Sequence, residues 1–168
     1  MKGPERVKTA LKAAGLDITI LELEESARTA RLAAEALGTP LGSIVKSLLF
    51  LADDEAVLVL VAGDRRADPH TLGCLLKARR VMMAEADRVR EQTGFSIGGV
   101  PPAGHRHPLP TWIDASLSRF ETVYAAAGHP RTVFPIGFKD LVRLTNGNVA
   151  DLTETSAKKR NTGASWVS

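Results

Sequence analysis

Residues 44–62 carry the longest apolar stretches of the chain. Residues 44–52 and 56–62 are β-branched and aliphatic runs, separated only by Asp53-Asp54-Glu55. Short apolar runs bounded by turn-forming acids read as an antiparallel hairpin, here with both strands buried on two faces. Elsewhere the spacing turns helical. Val7, Ala10, Leu11 and Ala14 recur at i, i+3, i+4, i+7 before Gly15, which predicts a surface helix over 4–14. A second helix is expected over 29–37, with Thr29 as N-cap, Leu32, Ala33, Ala36 and Leu37 as its apolar stripe, and Gly38 and Pro40 ending it. Further helices are expected at 68–77, 85–92 and 138–144, and short strands at 18–23, 80–84, 112–115, 122–126 and 132–135. Many short strands with helices inserted out of regular alternation predict one α+β domain. It would be built around a mixed, mostly antiparallel sheet or a partly closed barrel, with surrounding helices. The domain is expected over 1–152, and a loosely ordered tail over 153–168, where apolar periodicity stops.

The chain has 168 residues, 44% of them hydrophobic, enough for one continuous core. No apolar run approaches the roughly 18 residues that span a bilayer, and the mixed-charge start of the chain does not read as an export signal. A single cysteine, Cys74, leaves no internal disulfide and no multi-cysteine zinc site, which fits a reducing cytoplasm. Within Leu72-Gly73-Cys74-Leu75-Leu76 that thiol reads first as a small buried hydrophobe, and second as a nucleophile. The formal charge of +3 suggests a polyanion partner, but Lys158, Lys159 and Arg160 supply all of it; the other 19 basic side chains balance 19 acidic ones. Only local clusters remain as phosphate contacts: Arg65-Arg66, Lys77 with Arg79-Arg80, and His105-Arg106-His107.

Three places break the pattern. Lys46 lies inside the first long strand and by period two shares a face with Ile44, Leu48 and Phe50. A buried ammonium needs a partner, so Lys46 must snorkel to solvent, find an acceptor, or face a ligand. Residues 94–105, Gly94-Phe95-Ser96-Ile97-Gly98-Gly99-Val100-Pro101-Pro102-Ala103-Gly104-His105, combine glycines that let a backbone approach a ligand with prolines that stiffen it. Such a loop is either a structural turn or a cradle for a carbonyl or oxyanion. It is no P-loop, since no Gly-Lys-Ser/Thr follows. In the third, Ala125-Ala126-Ala127 runs into Gly128-His129-Pro130, where small residues make room and the turn holds a histidine.

In this order, Ser43-Ile44-Val45-Lys46-Ser47-Leu48, Ala62-Gly63-Asp64-Arg65-Arg66, residues 94–105 and Gly128-His129-Pro130 closely resemble the YbaK / prolyl-tRNA synthetase insertion-domain family, over about residues 5–152. That resemblance implies a mixed α/β fold around a barrel-like sheet. It also implies removal of misattached small amino acids (alanine, cysteine, serine or threonine) from tRNA, often tRNA for proline, in the cytoplasm. The partner would be the aminoacylated 3′ end of tRNA, with an aminoacyl-tRNA synthetase as a further candidate, no membrane, and no metal or other cofactor. Lys46 matches the family's strand lysine, thought to contact the terminal adenosine or polar groups of the substrate. Gly98, Gly99, Val100, Pro101 and Pro102 match its Gly-x-x-x-Pro loop, thought to hold the aminoacyl group and orient its carbonyl. The resemblance further implies substrate contacts from Ile44, Ser47, Asp64, Gly104, His105, Gly128 and His129, with a turn-forming role equally open for Asp64. In the family the substrate's own ribose hydroxyl is proposed to help activate water, which suits a chain with no evident Ser-His-Asp set. The competing readings are a catalytically inactive tRNA- or nucleotide-binding protein of the same fold, and an interaction module working through its basic tail.

Overall fold

The computed structural model describes residues 2–154. It contains the helices α1 (Gly3–Ala13), α2 (Ala30–Leu37), α3 (Pro69–Leu76), α4 (Ala86–Thr93) and α5 (Phe138–Thr145). The strands are β1 (Leu21–Glu22), β2 (Ile44–Ala52), β3 (Glu55–Ala62), β4 (Val81–Met83), β5 (Thr111–Asp114), β6 (Thr122–Ala126), β7 (Thr132–Gly137) and β8 (Asn148–Ala150). All eight strands join one mixed sheet, in the order β1-β7-β6-β2-β3-β5-β8, with β4 pairing β2 off that path. The α+β class and the mixed sheet are as the sequence predicts. The sheet is not closed into a barrel: β1 and β8 end the strand order and do not pair with each other.

The hairpin β2–β3 forms the centre. Its two-residue turn is Asp53-Asp54, both at positive φ (48° and 71°), a backbone that aspartate tolerates and that matches strand twist. The Asp53 carboxylate accepts the N–H groups of Arg79 and Arg80, and Asp53 N–H donates to the Arg80 carbonyl, so the hairpin tip seats the chain entering β4. Side chains alternate between two cores. Val45, Leu49, Leu58 and Leu60 pack with Val7 and Leu11 of α1, Val89 of α4, Phe95 and Leu141 of α5. Leu48, Phe50, Val57 and Val59 pack on the opposite face with Leu72 of α3 and Leu152. Both hairpin strands are thus covered on two faces, which explains their unbroken apolar runs.

Thr29 caps α2 as expected, accepting the Leu32 N–H at 3.2 Å. The buried stripe differs, being Ala30, Ala33 and Ala34 while Leu32 is exposed. Alanines let α2 lie close over Ile44, and the bulkier leucine turns outward. Cys74 is likewise exposed rather than buried, on the outer side of α3. The strand expected over 18–23 shrinks to β1, while Ile18 and Ile20 still pack on the larger core. Thr153 bridges Ala67, and Glu154 N–H donates to the Arg66 carbonyl. The remainder of the expected tail lies outside the described residues.

Candidate functional site

The site arises from a break in strand pairing. β2 pairs with β3 along its whole length from Val45 to Ala52. On its other edge it meets β6 only at Ile44 and Val45, and β4 only from Phe50 to Ala52. Among the described residues, 46–49 therefore have no partner strand on that side. The Ile44 carbonyl accepts from Gly63 on the β3 side, and the Leu49 carbonyl accepts from Ala84 on the other, which fixes the alternation of backbone groups. By that alternation the N–H and C=O of Ser47 point into the gap, where neither strand pairs with them. The Ser47 hydroxyl is buried and has no hydrogen-bond partner among the described residues.

A cavity of about 70 Å³ opens at this gap. That is small beside the roughly 300–1,000 Å³ of pockets for drug-sized ligands, and suits a group of few atoms. Ile44, Lys46 and Ser47 line it from β2, Gly98 and Val100 from the glycine loop, and Ala125 and Ala126 from β6. Among the described residues, those lining it include no carboxylate, histidine or cysteine. Lys46 does not snorkel. It is 8% exposed, and its Nζ donates to the Arg65 carbonyl at 2.6 Å, so a main-chain oxygen offsets part of the cost of burial while the side chain stays on the cavity wall.

The turn that supplies this carbonyl is clamped from outside. Arg119 donates to both Asp64 carboxylate oxygens, at 2.8 and 3.0 Å, in the forked geometry that guanidinium favours. Those hydrogen bonds hold the Asp64 carboxyl below the usual carboxylate range, against the opposing effect of partial burial. Asp64 thus serves the turn and is not part of the cavity wall. Gly42 fits beneath the pair, where a Cβ would lie 2.8 Å from the guanidinium and 2.9 Å from the carboxylate.

Other expected contacts fall behind the cavity instead of on it. The Gly99 N–H donates to the Ser96 carbonyl at 3.0 Å, so it is spent within the loop and does not face a substrate. Gly98 and Val100 have no hydrogen bond on their N–H groups among the described residues, and both line the cavity. Pro101 and Pro102 are buried, and His105 braces them, its Nε2 donating to the Pro101 carbonyl at 2.7 Å. Partial burial pushes the His105 imidazole below its ordinary pKa; the Pro101 hydrogen bond opposes this, and nearby Arg6 adds to it. Gly104 passes against the main chain of α1 at Arg6. Gly128, at φ +93°, packs on Gly3, where a Cβ would meet backbone at 2.7 Å. His129 is exposed, its Nδ1 accepts the Arg131 N–H, and its backbone backs Gly99. The glycine loop and the 128–130 turn therefore hold each other in place, and Gly98 and Val100 alone of residues 98–102 line the cavity.

Sequence reasoning missed Arg28, Ile97 and Tyr124, which line the cavity, and Arg119, which clamps the turn. Arg28 and Arg119 sit in ordinary polar surroundings of the sequence, and nothing in their spacing marks them. Ala125 and Ala126 were legible as residues that make room.

A model of the aminoacyl-tRNA editing domain family matches residues 24–144. Over 127 residues the chain is 39% identical to the uncharacterized protein YwhH of Bacillus subtilis (strain 168), covering 73% of this chain and 78% of that one. A proline–tRNA ligase of Lactobacillus gasseri is 48% identical over 71 residues, 42% of this chain and only 13% of the ligase. A crystal structure of a candidate trans-editing enzyme for prolyl tRNA synthetase superposes with a TM-score of 0.87 at 42% identity, covering 92% of this chain and 99% of that one.

Proposed function

This chain belongs to the aminoacyl-tRNA editing domain family, and on that footing we propose that it acts in trans as a deacylase of misacylated tRNA. The substrate is tRNA for proline carrying a small wrong amino acid such as alanine, cysteine, serine or threonine. The partners are the aminoacylated 3′ end and, in the cytoplasm, a synthetase that produces the error. The likeness to a candidate trans-editing enzyme along nearly its whole length supports the reading. The observation that carries it is a lysine held at 8% exposure on the wall of a small cavity, which is also lined by a glycine loop whose Gly98 and Val100 amides are unpaired among the described residues.

In this reading the amino-acid side chain enters the cavity, whose size favours few atoms. Water attacks the carbonyl carbon, the bond to the ribose oxygen breaks, and that oxygen leaves with a proton. Negative charge develops on the carbonyl oxygen, and the Lys46 amine with the free N–H groups of Ser47, Gly98 and Val100 are the donors available to stabilise it. The Ser47 carbonyl offers the substrate's amino group an acceptor. Among the described residues no lining side chain is a carboxylate, histidine or cysteine, so in this reading the neighbouring ribose hydroxyl relays a proton from the attacking water to the departing ribose oxygen. Placement of a reactive ester beside oriented donors then carries the acceleration.

The test incubates the purified chain, beside Lys46→Ala, with tRNAs charged with alanine, cysteine, serine, threonine and proline. At least one mischarged ester should be released, and the substitution should slow that release by about a hundredfold or more, the scale seen when an oxyanion donor is lost. Release at full rate by Lys46→Ala would refute the assignment of the site; no release from any charged tRNA would refute deacylation.

A further inference from the structure

Among the described residues, Arg28 is an exposed cation at the rim of the cavity that makes no hydrogen bond and no ion pair. Other arginines are engaged: Arg88 with Asp54, Arg119 with Asp64, Arg143 with Asp140, and Arg131 with the Leu23 carbonyl. Arg28 is instead held by packing. Its aliphatic stem lies across Gly98, so close that a Cβ there would sit 2.5 Å from its Cγ. Glycine at 98 thus gives the stem its seat, and the guanidinium is held at the mouth without an acid to neutralise it. Deeper in the same cavity lies Lys46, whose Nζ donates to the Arg65 carbonyl, and among the described residues no acidic side chain lines the cavity. The Arg28 guanidinium at the mouth of such a site favours an anion, and its fork matches phosphate oxygens in pairs.

We propose that Arg28 is a phosphate-binding residue, gripping the phosphodiester on the 5′ side of the terminal adenosine while the esterified ribose faces the cavity. The inference rests on the deacylase reading and deepens it. The aminoacyl group alone has no anion, so the rim cation would have nothing to meet; the acceptor end brings a phosphate just outside the ribose. The contact fixes where the ester lies along the cavity and carries no base specificity, as phosphate contacts do.

Two synthetic substrates isolate the contact: the alanyl ester of adenosine and the alanyl ester of adenosine 5′-monophosphate, each acylated on the ribose 3′ oxygen. The full chain should favour the phosphorylated ester by about tenfold or more in kcat/KM at low salt, chiefly through KM, the size expected of one arginine–phosphate contact. In Arg28→Gln the ratio should fall to near one, Arg28→Lys should restore part of it, and added salt should erode it in the wild type alone. A wild-type ratio of one, or a preference that survives in Arg28→Gln, overturns the proposal and leaves deacylation standing. If neither ester is hydrolysed, deacylation is what fails, and titration decides the subsite. Adenosine 5′-monophosphate binding about tenfold more tightly than adenosine to the wild type, but not to Arg28→Gln, supports it; equal affinities overturn it. An uncharged RNA ending in CCA that competes no better than free adenosine 5′-monophosphate would assign the anion to a mononucleotide and overturn the tRNA contact.

Discussion

The two edges of β2 follow different rules. Toward β3 it pairs residue for residue from Val45 to Ala52, and every side chain of β3 from Val57 to Ala62 is buried. Toward β6 and β4 it pairs for two residues, stops, and resumes for three. A buried strand edge left without partners costs free energy, because each N–H and C=O loses water without a replacement. The gap holds Lys46 and Ser47 and coincides with the cavity. One strand thus divides the labour: its paired edge supplies stability, and its interrupted edge leaves hydrogen-bonding groups facing the cavity.

Substitutions on each side sharpen that division, and the largest effect on stability belongs to the paired edge. Leu58→Ala, at a fully buried position facing the larger core, should cost about 2–5 kcal/mol in chemical denaturation, the usual range for an unfilled leucine site. Its KM, measured on the folded fraction, should stay near that of the wild type; a large rise would mean the two edges are not separable. Next comes Gly98→Ala on the functional side. At φ +96° a side chain is strained by about 1–2 kcal/mol, and its Cβ would displace Arg28. We expect about a tenfold loss of kcat/KM, the scale of one misplaced polar contact, measured against a smaller shift of the urea midpoint than in Leu58→Ala.

The smallest effect is expected at His105, on the side of the loop that faces α1. Its folded pKa lies below the ordinary 6.5 because burial disfavours the charged ring. The unfolded chain therefore takes up a proton first as pH falls. Stability is complete above about 6.5 and declines as the pH drops from there toward the folded value. A plot of Tm against pH from 8 to 5 should show this decline in the wild type and a flatter curve in His105→Gln. Equal slopes would mean that the ring is not a strut of the loop.

Much of this architecture was legible because it repeats locally. The hairpin was visible in its two apolar runs, and α1 and α2 in their spacing and caps. β8 escaped notice because three mostly exposed residues, Asn148, Val149 and Ala150, show no alternation; pairing with β5 alone makes them a strand. The face of α2 was misjudged for a related reason: leucine outranks alanine as a core residue until a close neighbour such as Ile44 rewards small size. At the site, Lys46 announced itself as a charge within an apolar strand, and Gly98 through its loop. Arg119 could not, since its partner Asp64 lies 55 residues away in the chain. Nor could the loss of Gly99's amide to Ser96, which only the folded turn reveals.

The tight Asp53-Asp54 turn also sets an order of events in time. A hairpin joined by two residues can zip in about 1–10 μs, because its ends are already neighbours. The ladders of β2 with β6 and of β3 with β5 are parallel and join segments far apart in sequence, so they must wait for long loops to close. The cavity wall needs residues from 28, 46, 98 and 125 at once. A refolding chain should therefore own its central ribbon well before it owns a place to hold a ligand, and ligand binding should report the last step of assembly.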